Sequence, residues 1–217
     1  MLLALCFIGA ITYAAVQLVN SYRSDIYREE MARGTFYLMA EGYQRYEPGE
    51  RDRWSQVLSK LFSAEIQLQS ANELELGYRE TLHLEDGLVV MRLNDKEGYA
   101  DILFQLPGES EYITTRMTKV SEQQARATAV LVLNHLSHFP EDEWEQALGR
   151  LQQHFGFPLN LVPRDQVSLD PEQEQRLNRR EVVIGLDDST RNNSSIRIYA
   201  PVAQTGKLLV IGPLSPV

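Results

Sequence analysis

Two stretches about 90–95 residues apart carry the same pattern, and no other feature of the sequence restricts the fold as much. FYLMAEGYQRYEPGERDRWSQVLSKLFSAEIQL in the first half aligns with AVLVLNHLSHFPEDEWEQALGRLQQHFGFPLNL in the second. Trp54 falls on Trp144, Leu58 on Leu148 and Leu61 on Leu151. Upstream, Leu38 and Tyr43 fall on Leu131 and Leu136, and each helical run stops at a proline turn, Pro48 and Pro140. Downstream, Ile66 and Leu68 match Leu159 and Leu161, and LVVMRLND (Leu88–Asp95) matches EVVIGLDD (Glu181–Asp188). DILFQL (Asp101–Leu106) then matches SIRIYA (Ser195–Ala200), and YITTRMTKV (Tyr112–Val120) matches KLLVIGPL (Lys207–Leu214). One matched tryptophan is weak, but a matched order of elements is strong. The chain must be built twice from one plan.

The plan follows from the periods within one copy. A helix ends at the proline turn, and Glu141, Asp142 and Glu143 favour a new helix start, because acidic side chains complement its positive end. Trp144, Leu148 and Leu151 stand at i, i+4 and i+7, which gives that helix one buried face. A short strand follows, then a polar helical or irregular stretch (Asp170–Leu177), then three strands separated by turn-rich loops. Alternation at Ile196 and Ile198 and along Lys207–Ile211 has the two-residue period of a half-buried antiparallel sheet. Helices packed on one face of such a sheet make a compact α+β module, and the seam between copies falls in Thr118–Arg126. Their helical spacing to leucines makes Trp54 and Trp144 core residues rather than parts of a ligand box.

The front of the chain is different in kind. Residues 1–20, MLLALCFIGAITYAAVQLVN, carry no charge, and twenty helical residues span about 30 Å, the thickness of a bilayer's hydrocarbon core. A retained transmembrane anchor is expected, with a cleaved signal peptide near Thr12, Ala14 and Ala15 as the alternative. No Lys or Arg precedes the run, so orientation cannot be read from flanking charge, and the natural start can lie upstream. Beyond it, Ile26, Tyr27, Met31, Leu38, Met39, Tyr43 and Tyr46 form one helical stripe, which Gly34 and Gly42 weaken.

Charge and chemistry exclude more than they assign. With 21 Lys and Arg against 30 Asp and Glu, the net charge is −9, the wrong sign for a general nucleic-acid binder. Cys6 is the single cysteine, so no intrachain disulfide and no cysteine-based zinc or iron–sulfur site can form. No phosphate-binding glycine loop, dinucleotide fingerprint, HExxH or GxSxG occurs. Of the four histidines, His83, His135, His138 and His154, the pair His135 and His138 can share a helix surface, but no third metal ligand stands near them in sequence. Their one plausible role is titration near pH ~6.5, a handle for acid sensing. The acidic groups Glu141–Asp142–Glu143, Asp170 with Glu172 and Glu174, and Asp187–Asp188 read as solvated charge, with divalent cations as the functional alternative. No catalytic, cofactor-binding or metal-binding residue is assigned.

Taken in order, the FYLM helix, proline turn, Trp helix, FPLNLVPRDQ strand, EVVIGLDD strand and Val210-Ile211-Gly212-Pro213 ending resemble a known family. They are similar to the periplasmic sensor region of RstB-type sensor histidine kinases of Gram-negative bacteria. The resemblance covers about residues 35–214 as two copies of the module; the first copy has Ala64-Glu65 where the second has Phe157-Pro158. It implies an α+β fold class: an N-terminal transmembrane helix followed by two tandem PAS-like modules, each a long helix, a second helix and an antiparallel sheet. The domains would be 1–20, the anchor; 21–119, the membrane-proximal helix and first module; and 120–217, the second module. The implied function is the extracytoplasmic signal-input domain of a two-component sensor kinase in the bacterial inner membrane. It would be homodimeric through the long helices, with residues after about 21 in the periplasm. The response regulator, ATP and Mg would be partners of a cytoplasmic kinase core beyond Val217, so the chain reads as a fragment with no enzyme activity or cofactor of its own. The alternative is a stand-alone, anchored or secreted periplasmic binding or scaffold protein. The same input region on a chemoreceptor or a cyclic-dinucleotide enzyme is a third reading.

Overall fold

A computed structural model of the chain describes residues 29–94, 96–117, 122–187, 195–203 and 205–216. Helix α1 covers residues 29–45 and puts Phe36, Met39, Ala40 and Tyr43 on its buried side, the i, i+3, i+4, i+7 spacing of one face. A single 3-10 turn at Pro48–Glu50 leads into α2 (Arg51–Phe62), which buries Trp54, Leu58 and Phe62 at four-residue steps. Helix α2 stops where Ser63 turns left-handed (φ 52) and donates its N–H to the Ser59 carbonyl. Strand β1 (Ile66–Ser70), helix α3 (Tyr78–Glu85) and strands β2 (Val90–Asn94), β3 (Tyr99–Gln105) and β4 (Glu111–Met117) complete the first unit.

The second unit repeats the order: α4 (Glu122–Leu136), α5 (Trp144–Leu151), β5 (Leu159–Pro163), α6 (Pro171–Asn178), β6 (Val183–Asp187), β7 (Ser195–Pro201) and β8 (Lys207–Pro216). The sheets run β1-β4-β3-β2 and β5-β8-β7-β6, all antiparallel, so the first strand of each unit pairs with its last. The registers also match, with Ile66 opposite Thr115 and Leu159 opposite Ile211. The copies diverge at Gly212 (φ 113), where the β7–β8 register shifts, and at a 3-10 turn, Gln152–His154, added after α5.

Each sheet has two different faces. The inner faces meet in one continuous core that joins Phe36, Leu58, Ile102, Phe104 and Ile113 of the first unit to Val132, Leu148, Leu159, Ile198 and Ile211 of the second. Helices α1, α2, α4 and α5 contribute to this core, with α2 against α4 and α4 against β7 and β8. The outer faces carry separate small cores. Leu84 of α3 covers Val90, Leu103 and Tyr112, and Leu177 of α6 covers Val183, Tyr199, Leu208 and Val210.

The expected fold class needs correction. The described residues form an α+β structure with two four-stranded antiparallel sheets and six α-helices, but no helix among them is long and apolar enough to cross a membrane. The physical reason is length and charge. Helix α4 has 15 residues and carries Gln123, Gln124, Arg126 and Asn134, and α1 carries Glu29, Glu30, Arg33, Glu41 and Arg45. Residues 1–20, on which the anchor was expected, lie outside the described residues, as do Ile26 and Tyr27. The inner faces of the two units share one core. The polar stretch at Asp170–Leu177 is helical from Pro171, with Asp170 accepting the Gln173 N–H at 2.8 Å as its cap.

Gly34 and Gly42 take on a structural role that helix propensity alone hides. The Phe155 ring lies where a Gly34 side chain would be, and the Trp54 indole where one at Gly42 would be, 2.5 Å from a Cβ at that position. Gly42→Val is expected to cost about 1–3 kcal/mol through overpacking, read as a lower urea midpoint at unchanged slope.

Candidate functional site

Helices α1 and α4 meet at residues that are equivalents in the repeat. Thr35 and Thr128, 93 positions apart and 5% and 1% exposed, touch through their hydroxyls at 2.9 Å. Thr128 donates its proton to the Gln124 carbonyl at 3.0 Å, which leaves Thr35 as the donor between them. The contact therefore joins equivalent positions of the two units. Further along, His135 Nδ1 lies 2.7 Å from Glu41 Oε2. From the threonine contact this is 41 − 35 = 6 residues along α1 and 135 − 128 = 7 along α4, so the two helices run in the same direction.

The junction gathers titratable groups at both ends. Burial pushes the Glu41 carboxyl up, but the hydrogen bond and charge of His135, with Arg45 at 2.6 Å, outweigh it and hold the group below its ordinary value. Burial, with Arg45 and His135 adding to it, lowers His138. Near Thr35, the Tyr37 ring stacks on His154 at 3.5 Å between centroids, and Arg33 Nε donates to the His154 carbonyl at 3.1 Å. Burial and then Arg33 lower His154, and burial and then Glu41 raise the Tyr37 hydroxyl.

These shifts set a direction for pH. His154, half-buried with its folded pKa below its unfolded value of 6.5, contributes stability that is complete above 6.5 and is lost as pH falls from there through the lower folded value. Glu41, lowered from 4.5, adds a second step: its contribution is present above 4.5 and is lost as pH falls through the lower folded value. The melting midpoint is therefore expected to fall as pH drops from about 7.5 to 5, and His154→Gln to flatten that fall, both read by circular dichroism.

His135 and His138, paired in the sequence reading as surface groups, separate here: His135 is 8% exposed beneath Glu41, while His138 stays on the surface. His83 is exposed on α3, away from both. Among the described residues, no group of three or more His, Cys, Asp or Glu is placed to hold a metal. Three members of the acidic clusters have local partners. Glu141 pairs with Lys207 at 3.4 Å, Asp170 caps α6 and Glu174 pairs with Arg164. Asp187 ends β6, and Asp188 lies outside the described residues.

A second feature lies on the outer face of the first sheet. Gln67 and Gln69 of β1, Thr114 and Arg116 of β4, Asp101 and Leu103 of β3, and Arg92 of β2 line an open groove of about 360 Å³, together with Glu65, Glu73 and Leu74. Arg92 grips Glu80 through Nε and Nη2 at 2.8 and 2.7 Å; with the Gly77 N–H this holds the Glu80 carboxyl at about 2. Arg116 grips Asp101 at 2.7 and 3.2 Å and lies 4.0 Å over the Tyr99 ring. Glu73 Oε2 accepts from the Ser70 N–H and hydroxyl, which fixes the wall.

Neither feature shows in the periods of a single copy. A signal for the groove was present: aligned copies set Gln69 against Val162 and Thr114 against Val210, polar against apolar on one sheet face. No signal existed for Glu41 and His135, because their meeting depends on how two helices from different copies sit together. Comparison with family models, curated proteins and solved structures gives no match.

Proposed function

We propose that residues 29–216 act as the extracytoplasmic signal-input part of a sensor histidine kinase of the RstB type. The observation that carries this reading is the α1–α4 pair: two parallel helices, one from each unit, in contact at equivalent threonines inside one shared core. In that arrangement a change on either sheet moves one helix against the other, because packed interfaces switch between discrete arrangements rather than deform smoothly. Glu41, His138 and His154, whose ionisation the junction shifts, support it by making the helix contact responsive to its surroundings.

The test is to graft the chain in front of the transmembrane and kinase portion of an RstB-type kinase and to measure phosphorylation of its response regulator in membranes. Substitutions at the Thr35–Thr128 contact are expected to change the basal phosphorylation rate severalfold. An inserted, folded chimera whose phosphorylation is the same with and without those substitutions would contradict the reading and leave a binding or scaffold protein.

A further inference from the structure

We propose that the groove on the outer face of the first sheet is a binding site for a small zwitterion of the α-amino-acid class. The second unit supplies an internal control. Register places Val162, Val210 and Tyr199 where the first unit has Gln69, Thr114 and Leu103, and Gly185 where it has Arg92. There the Tyr199 ring lies against Gly185, 3.0 Å from where a Cβ would stand, and all three apolar side chains belong to the small core under α6. The β5 and β8 positions thus pack into the small core under α6. At β1 and β4 two polar side chains replace the two valines and line a groove beside Leu103, which itself packs under α3.

Part of the polar lining is not consumed by the fold. The Gln69 amide and the Thr114 hydroxyl, both half-buried, have no protein hydrogen-bond partner among the described residues. Arg92 and Arg116 hold their carboxylates through Nε and Nη2, which leaves Nη1 of each to donate elsewhere. Glu73 uses only Oε2, so Oε1 is open to accept. A ligand carboxylate fits the guanidinium N–H groups, a ligand ammonium fits Glu73 and the Gln69 carbonyl, and Leu103 and Leu74 give a short apolar floor for a side chain. The lining carries no aromatic ring on which a sugar would stack.

This inference deepens the signal-input reading by naming a stimulus class, and its test needs no kinase. The full chain in detergent is titrated calorimetrically with each of the common free amino acids at up to about 10 mM, enough to detect a Kd of about 1 mM. At least one is expected to bind with one-to-one stoichiometry. Thr114→Val and Leu103→Tyr, which copy the second unit, are each expected to weaken it tenfold or more with the circular dichroism spectrum unchanged. Should Leu103→Tyr fail to fold, the near-isosteric Thr114→Val decides alone. No binding by any free amino acid, equal binding in a folded Thr114→Val variant, or equal binding of N-acetyl amino-acid amides or glucose would overturn the proposal. A negative titration leaves the grafted-kinase result to stand or fall by itself.

Discussion

Phe36→Ala is expected to lower the unfolding free energy by about 3–5 kcal/mol and to do so for both halves of the molecule at once. Phe36 is 1% exposed on α1, with its ring 6.3 Å from that of Phe104 on β3. Removing the ring forfeits its transfer from water and leaves a void between helix and sheet that close-packed neighbours fill only in part. The loss spreads because the same core continues into Val132, Leu148 and Ile198 of the second unit. A urea titration followed by circular dichroism reads it as a lower midpoint with unchanged slope. If the units had separate cores, half of the signal would keep the parent midpoint.

The second large effect concerns the threonine contact, and its sign depends on how many partners are removed. Thr128→Val is expected to cost about 1–3 kcal/mol, because the Thr35 hydroxyl stays buried without its acceptor. Changing both threonines to valine keeps the shape and removes the need for a partner, so the double variant is expected to be nearly as stable as the parent. A double-mutant cycle of urea midpoints measures this coupling. Equal and additive losses would mean that the two hydroxyls do not meet.

Much of this architecture could be read from the sequence because the repeat presents each period twice. Trp54, Leu58 and Trp144, Leu148, Leu151 marked the α2 and α5 faces, and Ile66 with Leu68 and Leu159 with Leu161 marked β1 and β5. Alternation at Ile196 and Ile198 likewise belongs to β7. What it could not show is how the copies face each other. Gly34 and Gly42 looked like helix weaknesses because their role appears only when Phe155 and Trp54 press against them. His135 looked like a surface group because its cover, Glu41, comes from 94 residues away. Helix α3 escaped notice, since it offers one buried side chain, Leu84, over eight residues. The groove was legible only as a difference between copies, at Gln69 and Thr114.

The two units are expected to unfold as one cooperative body around the α1–α4 pair. Each unit carries one tryptophan, Trp54 in the first and Trp144 in the second, and the chain has no others. The deciding measurement uses Trp144→Phe and Trp54→Phe, each unfolded in urea while the remaining tryptophan's fluorescence and far-ultraviolet circular dichroism are followed on one sample. Fluorescence and dichroism are expected to trace a single coincident transition in both variants, because the largest core spans both halves. A tryptophan that completes its transition while half of the dichroism persists would contradict the shared core and, with it, the proposed coupling of sheet to helix.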